Sequence, residues 1–523
     1  MITYLQCKVQ KYQWAVYVKF TLTLIFCLTI LLTSIDSAFA QEDFPKDQID
    51  RFIQMKMEEN HIPGLAVAIT RDDRVIFSKG YGKTADQSPI TADTPLAIAS
   101  LSKSFTALAV MQLAESGKVD LDKPIAHYIP SFQLNDPRGS TITVRHLLSH
   151  TSGLTDTVYS DMTIHPQPNS LEEVVQRLHE VTLHSDPGRE FHYNNTNYQL
   201  LARLVEVVSK EKFPDYLQRH IFTPLEMNRT FDVSNTSQFV EKSSEISRGH
   251  YFLFGKPIAT AEPEWFVEGA AGMVSTVNDM AKWLIIQGNG GKYNNVQLLS
   301  SEGIRTMHSP TGPKGSYGLG WEISKTADEK TQIEHGGILW TYKAQELVIL
   351  DQRLGIVILF NSGLNTFVDY YSFVSGLSGI LTNSPPENSF LTHTMLESGM
   401  CIIILITVLL GIRRFWRLKK GEAHYKKRPS WLRFLSFILM MLPLFQLLFL
   451  PKMITFLGGE RVLSLEGIFM MMPSIIIWLG IASFQNLVIV IVRVIRICQI
   501  RIQSRGSQKQ TINRTTTEGH PMA

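Results

Sequence analysis

The sequence predicts an α+β fold, an antiparallel sheet flanked by helices with a helical lobe beside it, followed by a C-terminal bundle of three transmembrane helices. Three observations carry this expectation. Strand-like segments lie at both ends of a long cysteine-free stretch, and segments with helical apolar spacing fill its middle. Apolar runs of membrane-spanning length then crowd the C-terminal third.

In chain order, Lys8, Lys11 and Lys19 precede an apolar run from Phe20 to Leu32, and "DSAFA" offers Ala38 and Ala40 before a cleavage point. This predicts a signal peptide over residues 1–40, with an uncleaved anchor as the alternative. "LIFC" around Cys27 is a poor lipoprotein site, because Phe26 is bulky and the apolar run continues past the cysteine. All four cysteines (Cys7, Cys27, Cys401, Cys498) lie in or beside the apolar ends. An internal disulfide, a cysteine nucleophile and a thiolate metal site are thereby excluded from Gln41 to about Phe390.

An exported domain is expected over 41–385. "GLAVAIT" and "RVIFSKGYG" flank "RDD" as two strands joined by a turn, and "TQIEHGGILWTYKAQELVILDQRLGIVILFNSG" supplies several more, turning at Asp351–Gly355. Between them "SFTALAVMQLAES", "LEEVVQRLHEV" and "YQLLARLVEVVSK" read as helices. The two chain ends would close one sheet, and the middle would supply its helices. The polar, proline-bearing stretch "TNSPPENSFLTH" (382–393) marks a linker to the membrane, placed at 386–394.

Three helices are expected within 395–492, at about 395–412, 434–450 and 468–492, with a basic tail over 493–523. Residues 413–433 carry nine Lys/Arg, the stretch between the second and third helices only Lys452 and Arg461, and the tail six. The positive-inside rule then puts the 413–433 loop and the C-terminus in the cytoplasm and the large domain outside. Gln446, Gln485 and Asn486 read as helix-linking polar groups rather than a transport path. A net charge of only +3 gives no reason to expect nucleic acid as a partner. Membrane lipid is the expected surrounding.

Chemistry concentrates in "ASLSKSFTA". Ser100 and Lys103 stand one turn apart at a helix start, so both side chains reach one face while Ser102 serves the backbone. A serine there gains from the helix dipole, and a lysine of lowered pKa can take its proton. Ser209 and Lys212 share the spacing, but at a helix end, where lysine is favoured for structural reasons. A second element, "FHYNNTNYQLL", puts Tyr193 and Asn195 before another helix, as a proton relay and a substrate amide contact. The copy at Tyr293–Asn295 follows a glycine-rich turn and reads as a loop. The third is His335-Gly336-Gly337, where glycines admit a close backbone approach and exposed N–H groups can face an oxyanion.

The order Ser-x-x-Lys, Tyr-x-Asn, His-Gly-Gly, together with "RHLLSHTSGL", "GAAGMVSTVNDMAKWL" and "SYGLGWEI", resembles the penicillin-binding-protein and class C β-lactamase family of serine hydrolases from about His61 to Gly379. The resemblance implies a β-lactamase/transpeptidase-like fold, with Ser100 as nucleophile, Lys103 as proton acceptor and Tyr193 as acid/base partner. It also implies that Asn195 contacts substrate and that His335-Gly336-Gly337 takes the place of the family's Lys-Thr-Gly. The N–H groups of Ser100 and Ile338 would form the oxyanion hole. Histidine at 335 departs from that pattern and weakens the expected grip on a β-lactam carboxylate. His146 and His150 in "HLLSH" lack a third ligand of matching context, so no metal and no cofactor are expected.

The three-helix tail resembles that of membrane-bound peptidases that remove an acyl-D-amino-acid cap from secreted prodrug metabolites. The expectation is thus a membrane-tethered hydrolase, acylated at Ser100 by small peptides or D-amino-acid amides or esters. Its substrate would be peptidoglycan stem peptides or a capped metabolite. Alternatives are a β-lactamase or esterase of the same fold, a membrane β-lactam receptor, or a non-catalytic wall-binding protein.

Overall fold

The computed structural model describes residues 44–241, 246–326, 328–383, 391–418 and 429–517. The signal peptide, Cys7 and Cys27 lie outside the described residues, as do most of the linker and residues 419–428 of the basic 413–433 loop. Residues up to Asp50 form a unit of their own, whose described part enters helix α1 (Lys46–Asn60). The sheet, the helical lobe and the C-terminal helices all belong to the second unit, from Arg51 onward.

The predicted sheet is there, closed by the two ends of the domain. Strands β1 (Gly64–Arg71) and β2 (Arg74–Gly82) join β3 (Glu322–Lys325), β4 (Thr331–Ile338), β5 (Lys343–Ile349) and β6 (Leu354–Phe360) in the order β3-β4-β5-β6-β1-β2. Every pairing is antiparallel, and β1 meets β6 with Ala66 opposite Leu359. β1 and β6 are almost wholly buried, as continuous apolar runs covered on both faces should be, and β5 is buried too although it carries Lys343, Gln345 and Glu346.

Side chains alternate between the faces of a strand. Gly355 of β6 lies under Leu284 of α4 (Val277–Gly288), and Phe360 lies on the other face, its ring 5.2 Å from Phe373 of α5 (Tyr371–Leu381). The helical lobe adds α2 (Ser102–Glu115) and α3 (Asn195–Ser209), packed against each other beside the sheet. In the core Phe105 of α2 stacks on Trp283 of α4 with centroids 3.7 Å apart.

Beyond the domain lie α6 (His393–Trp416), α7 (Ser430–Leu457), the short α8 (Leu465–Met471) and α9 (Pro473–Thr517). Within them His393–Trp416, Phe434–Leu457 and Pro473–Arg496 are long and apolar enough to cross a membrane. Several boundaries differ from the sequence expectation, α9 running on to Thr517. α7 runs through Pro443 and Pro451 to Leu457, and Thr455 Oγ1 donates to the Pro451 carbonyl at 3.0 Å. The expected third helix divides at Met472, which leaves helical geometry (φ −142°, ψ 55°) because Pro473 crowds the residue before it.

Candidate active site

The segment 98–103 is bent where the chemistry is expected. Ala99 takes a left-handed φ of 50°, uncommon for a residue with a Cβ, and Ala99–Leu101 form one 3-10 turn that runs into α2. Ser102 folds back on that turn, its Oγ donating to Ala99 O at 2.6 Å and accepting from Met273 N–H at 3.1 Å. Ser100 is left facing the cavity, with its N–H in a first turn that offers no intrahelical acceptor.

Lys103 is fully buried, and its Nζ has three neighbours: Ser100 Oγ at 3.0 Å, Asn195 Oδ1 at 2.8 Å and Ala270 O at 2.9 Å. Asn195 cannot be flipped, because its Nδ2 donates to Asp161 Oδ2 at 3.0 Å, so the atom facing the amine is an oxygen. Burial, then the charge of Arg461, hold the lysine well below its ordinary pKa against the opposing pull of Asp161 and Asp156. A neutral amine has two N–H groups and one lone pair. Both N–H groups are claimed by oxygens that can only accept, Asn195 Oδ1 and Ala270 O, so the lone pair faces the Ser100 hydroxyl.

Tyr193 lines the same cavity as Ser100, and its ring centroid is 4.8 Å from Lys103 Nζ. Burial raises its phenol, and the contact with Ser100 opposes the rise. His150 packs against the Tyr193 ring at 4.4 Å and accepts from Asn194 N–H at 3.2 Å through Nδ1. That nitrogen is therefore occupied, and His146 Nδ1 accepts from Thr143 N–H at 3.3 Å in a helix cap. The two histidines of "HLLSH" do structural work at separate places.

His335, Gly336 and Gly337 lie on a strand, but toward the C-terminal end of β4 rather than at a strand start. His335 is buried, and burial, with Lys103 adding to it, pushes its pKa down to about 3. Its Nδ1 is 2.9 Å from Gly336 O, which can only accept, so Nδ1 carries the proton and Nε2 accepts from the Tyr317 hydroxyl at 3.3 Å. At Gly337 a Cβ would stand 2.3 Å from Ile98 O, the close approach that requires glycine. Gly336 is open by comparison, its nearest obstacle Lys343 Nζ at 3.4 Å. The N–H of Leu339 donates to Tyr342 O at 3.0 Å, so in the alternating ladder the N–H of Ile338 points to the opposite edge. There β3 ends its pairing at Glu334, which leaves that N–H free to face the site.

The rival pair behaves as a helix end. Ser209 Oγ donates to Val205 O at 2.6 Å, Lys210 caps the helix with φ 63°, and Lys212 is exposed with its Nζ 3.7 Å from Glu206. Tyr293 ends a two-residue strand and Asn294–Asn295 form a hairpin turn, Asn294 with φ 51°.

Four participants escaped sequence reasoning. Asp161 receives Asn195 and the Trp265 indole N–H (3.0 Å each), and Asp156 receives Asn194 Nδ2 at 2.9 Å. Glu346, directly across the strands from His335, is buried with its carboxyl pushed well up, and Ser104 Oγ lies 3.5 Å from it. Arg461 arrives from the loop between α7 and α8. Its Nη1 donates to Asp156 Oδ1 at 3.1 Å and to Tyr193 O at 3.3 Å. No local pattern marks these four, since each partner lies far away in sequence. Asp156 and Asp161 come soon after "RHLLSHTSGL", and that motif was the available signal for them.

Residues 49–371 match the Beta-lactamase family. The chain is 28% identical over 410 residues to "Protein flp" of Staphylococcus aureus (strain MW2), covering 74% of this chain and 79% of that one. It is 27% identical over 334 residues to a D-aminopeptidase of Brucella anthropi, covering 61% and 60%. Among solved structures, the octameric penicillin-binding protein homologue from Pyrococcus abyssi superposes with a TM-score of 0.56 at 26% identity, over 69% of this chain and 81% of that one.

Proposed function

The chain belongs to the Beta-lactamase family, whose members are serine hydrolases, and on that footing we propose that it is a membrane-tethered peptidase or amidase working through an acyl-enzyme at Ser100. The observation that carries this reading is the buried Lys103 amine, 3.0 Å from Ser100 Oγ with Asn195 Oδ1 and Ala270 O as its other two partners, a geometry that in the neutral amine leaves the lone pair for the nucleophile. Ser100 Oγ attacks the substrate carbonyl while its proton passes to Lys103 Nζ, and the oxyanion takes the N–H groups of Ser100 and Ile338. Tyr193 gives its proton to the departing amine and is reprotonated by the Lys103 ammonium. Water then attacks the ester, its proton returning through the same pair, and Ser100 is released. Asn195 holds Lys103 at one end of its amide and lines the cavity beside the substrate.

The D-aminopeptidase relative favours a D-residue at the acyl side. The cavity, about 1140 Å³ and lined by Met162, Trp265, Trp340, Ile454, Leu457 and Met471 among others, has room for an apolar acyl group beyond that residue. This supports an acyl-D-amino-acid cap over a bare stem peptide. A β-lactamase role is less favoured, because the neutral His335 offers no charge to a β-lactam carboxylate. A panel of acyl-D- and acyl-L-amino-acid amides, read by mass spectrometry with the full-length protein, tests this. D-amides should be cleaved at least about tenfold faster than their L-partners; equal rates, or hydrolysis of β-lactams alone, would overturn the D-peptidase reading.

We place the domain at 41–385 outside the membrane, the three spans within 395–492 in it, and the tail from 493 in the cytoplasm. The loop bearing Arg461 touches Asp156 and Ser160 of the domain, so loop and domain share one side, as the charge pattern asks. Protease added to spheroplasts should digest the domain and spare a tag placed after Ala523. Loss of the tag from outside would reverse the orientation.

A further inference from the structure

We propose that Arg461, carried on the loop between the second and third apolar helices, is a positioning residue of the Ser100 site, so that the C-terminal helices complete the catalytic centre as well as tether it. The inference rests on Ser100 being the nucleophile. Arg461 reaches into the cavity wall with its side chain only 20% exposed and spans both flanks of Tyr193. It takes the Tyr193 carbonyl and the Asp156 carboxylate, and Asp156 in turn holds Asn194, the next residue. Its guanidinium carbon stands 5.5 Å from the Tyr193 ring centroid. The backbone on which Tyr193 sits is thus fixed from the tail.

The loop is fastened along its length. Val462 N–H donates to Asp156 Oδ2 at 3.2 Å, and Ser160 Oγ donates to Val462 O at 3.3 Å. Glu460 places an oxygen 3.2 Å from His192 Nδ1. Farther on, Thr366 N–H donates to Met471 O at 3.0 Å, and Gly467 lies so close beneath Trp340 that a Cβ would stand 2.2 Å from the indole. Trp340 follows Ile338 by two residues, and its own N–H and that of Thr341 are held by the Glu262 carboxylate at 2.8 Å each. The tail therefore braces the site at Tyr193 and at the strand end that carries the oxyanion donor.

Position has an electrostatic consequence. The groups facing Lys103 are Tyr193 just before α3 and Tyr198 within it, His150, Asp156 and Asp161 from the segments before it, His335 from β4, and Arg461. Arg461 is the cation among them that keeps its charge at every working pH. It favours the free amine, and the two carboxylates oppose it. Removing the guanidinium raises the Lys103 pKa, so the protonated, idle amine persists to higher pH.

The test uses full-length protein in detergent and a fluorophosphonate probe, which carries no carboxylate. The second-order rate of labelling at Ser100 is followed against pH for wild type, Arg461→Gln, Arg461→Met and Arg461→Lys. Both neutral variants should label about tenfold more slowly at neutral pH, with the acid limb moved up by about half a unit or more. Arg461→Lys should return the limb toward the wild-type position. Two neutral side chains of different shape guard against one failing to fold. A merely fastening role would lower thermal stability without moving the limb, and wild-type limbs in both neutral variants would overturn the proposal. Absence of label on Ser100 in the wild type would instead overturn the nucleophile assignment beneath it.

Discussion

Replacing Lys103 by methionine is expected to slow acylation of Ser100 by about 10²–10⁴-fold, the range that a positioned general base contributes. Methionine fills similar space in the buried site but has no lone pair basic enough to receive the Ser100 proton. Lys103→Arg should not rescue the rate, because a guanidinium stays protonated even when buried and has no lone pair to offer. The sign of the pH dependence follows from the same assignment. Lys103 must be neutral to act, and its pKa lies well below 10.5. Wild-type acylation should therefore extend to lower pH than an ordinary lysine would allow and fall as pH drops through that lowered value. Stopped-flow labelling over a pH series measures both; a Lys103→Met protein that acylates at the wild-type rate would remove the lysine from the mechanism.

Gly337→Val should damage fold and site together. The added Cβ would lie 2.3 Å from Ile98 O and 3.2 Å from Ala99 Cβ, which are backbone and an adjacent short side chain with nowhere to turn. β4 must then move away from the segment carrying Ser100, at a cost of about 3 kcal/mol or more, beyond ordinary overpacking. In a domain of this size that corresponds to a fall in melting temperature of roughly 4 °C or more. Gly336→Ala is the internal comparison. Its Cβ meets only the end of the Lys343 side chain at 3.4 Å, so its melting temperature should stay within about 2 °C of wild type. Similar losses from both would mean that the tight contact at Gly337 is not what sets the spacing between β4 and Ser100.

These two residues also mark how much was legible beforehand. Ser100 and Lys103 are joined by one helical turn, and Tyr193 and Asn195 by one helix start, so spacing alone brings each pair together. The strands near each end of the domain announced the sheet through their apolar runs, because both faces of its middle strands are covered. Gly337 announced a close approach, although not which backbone approaches it. Arg461 was readable only as a charge counted for orientation. Its value at the site depends on Asp156, some 300 residues earlier in the chain, and no periodicity encodes that meeting. Glu346 likewise reads as an ordinary residue of β5 until the register sets it opposite His335. The extent of α7 past Pro451 was hidden for a local reason, since proline signals a break in water-exposed helices and is tolerated in apolar ones.

The most direct measurement of the central claim is the site of acylation. Full-length protein treated with a serine-directed fluorophosphonate and digested should yield one modified peptide, carrying the adduct on Ser100. The peptide containing Ser209 should be unmodified, and Ser100→Ala should abolish the adduct without changing the melting temperature by more than about 2 °C. An adduct on any other serine, or undiminished labelling of a folded Ser100→Ala protein, would contradict the account.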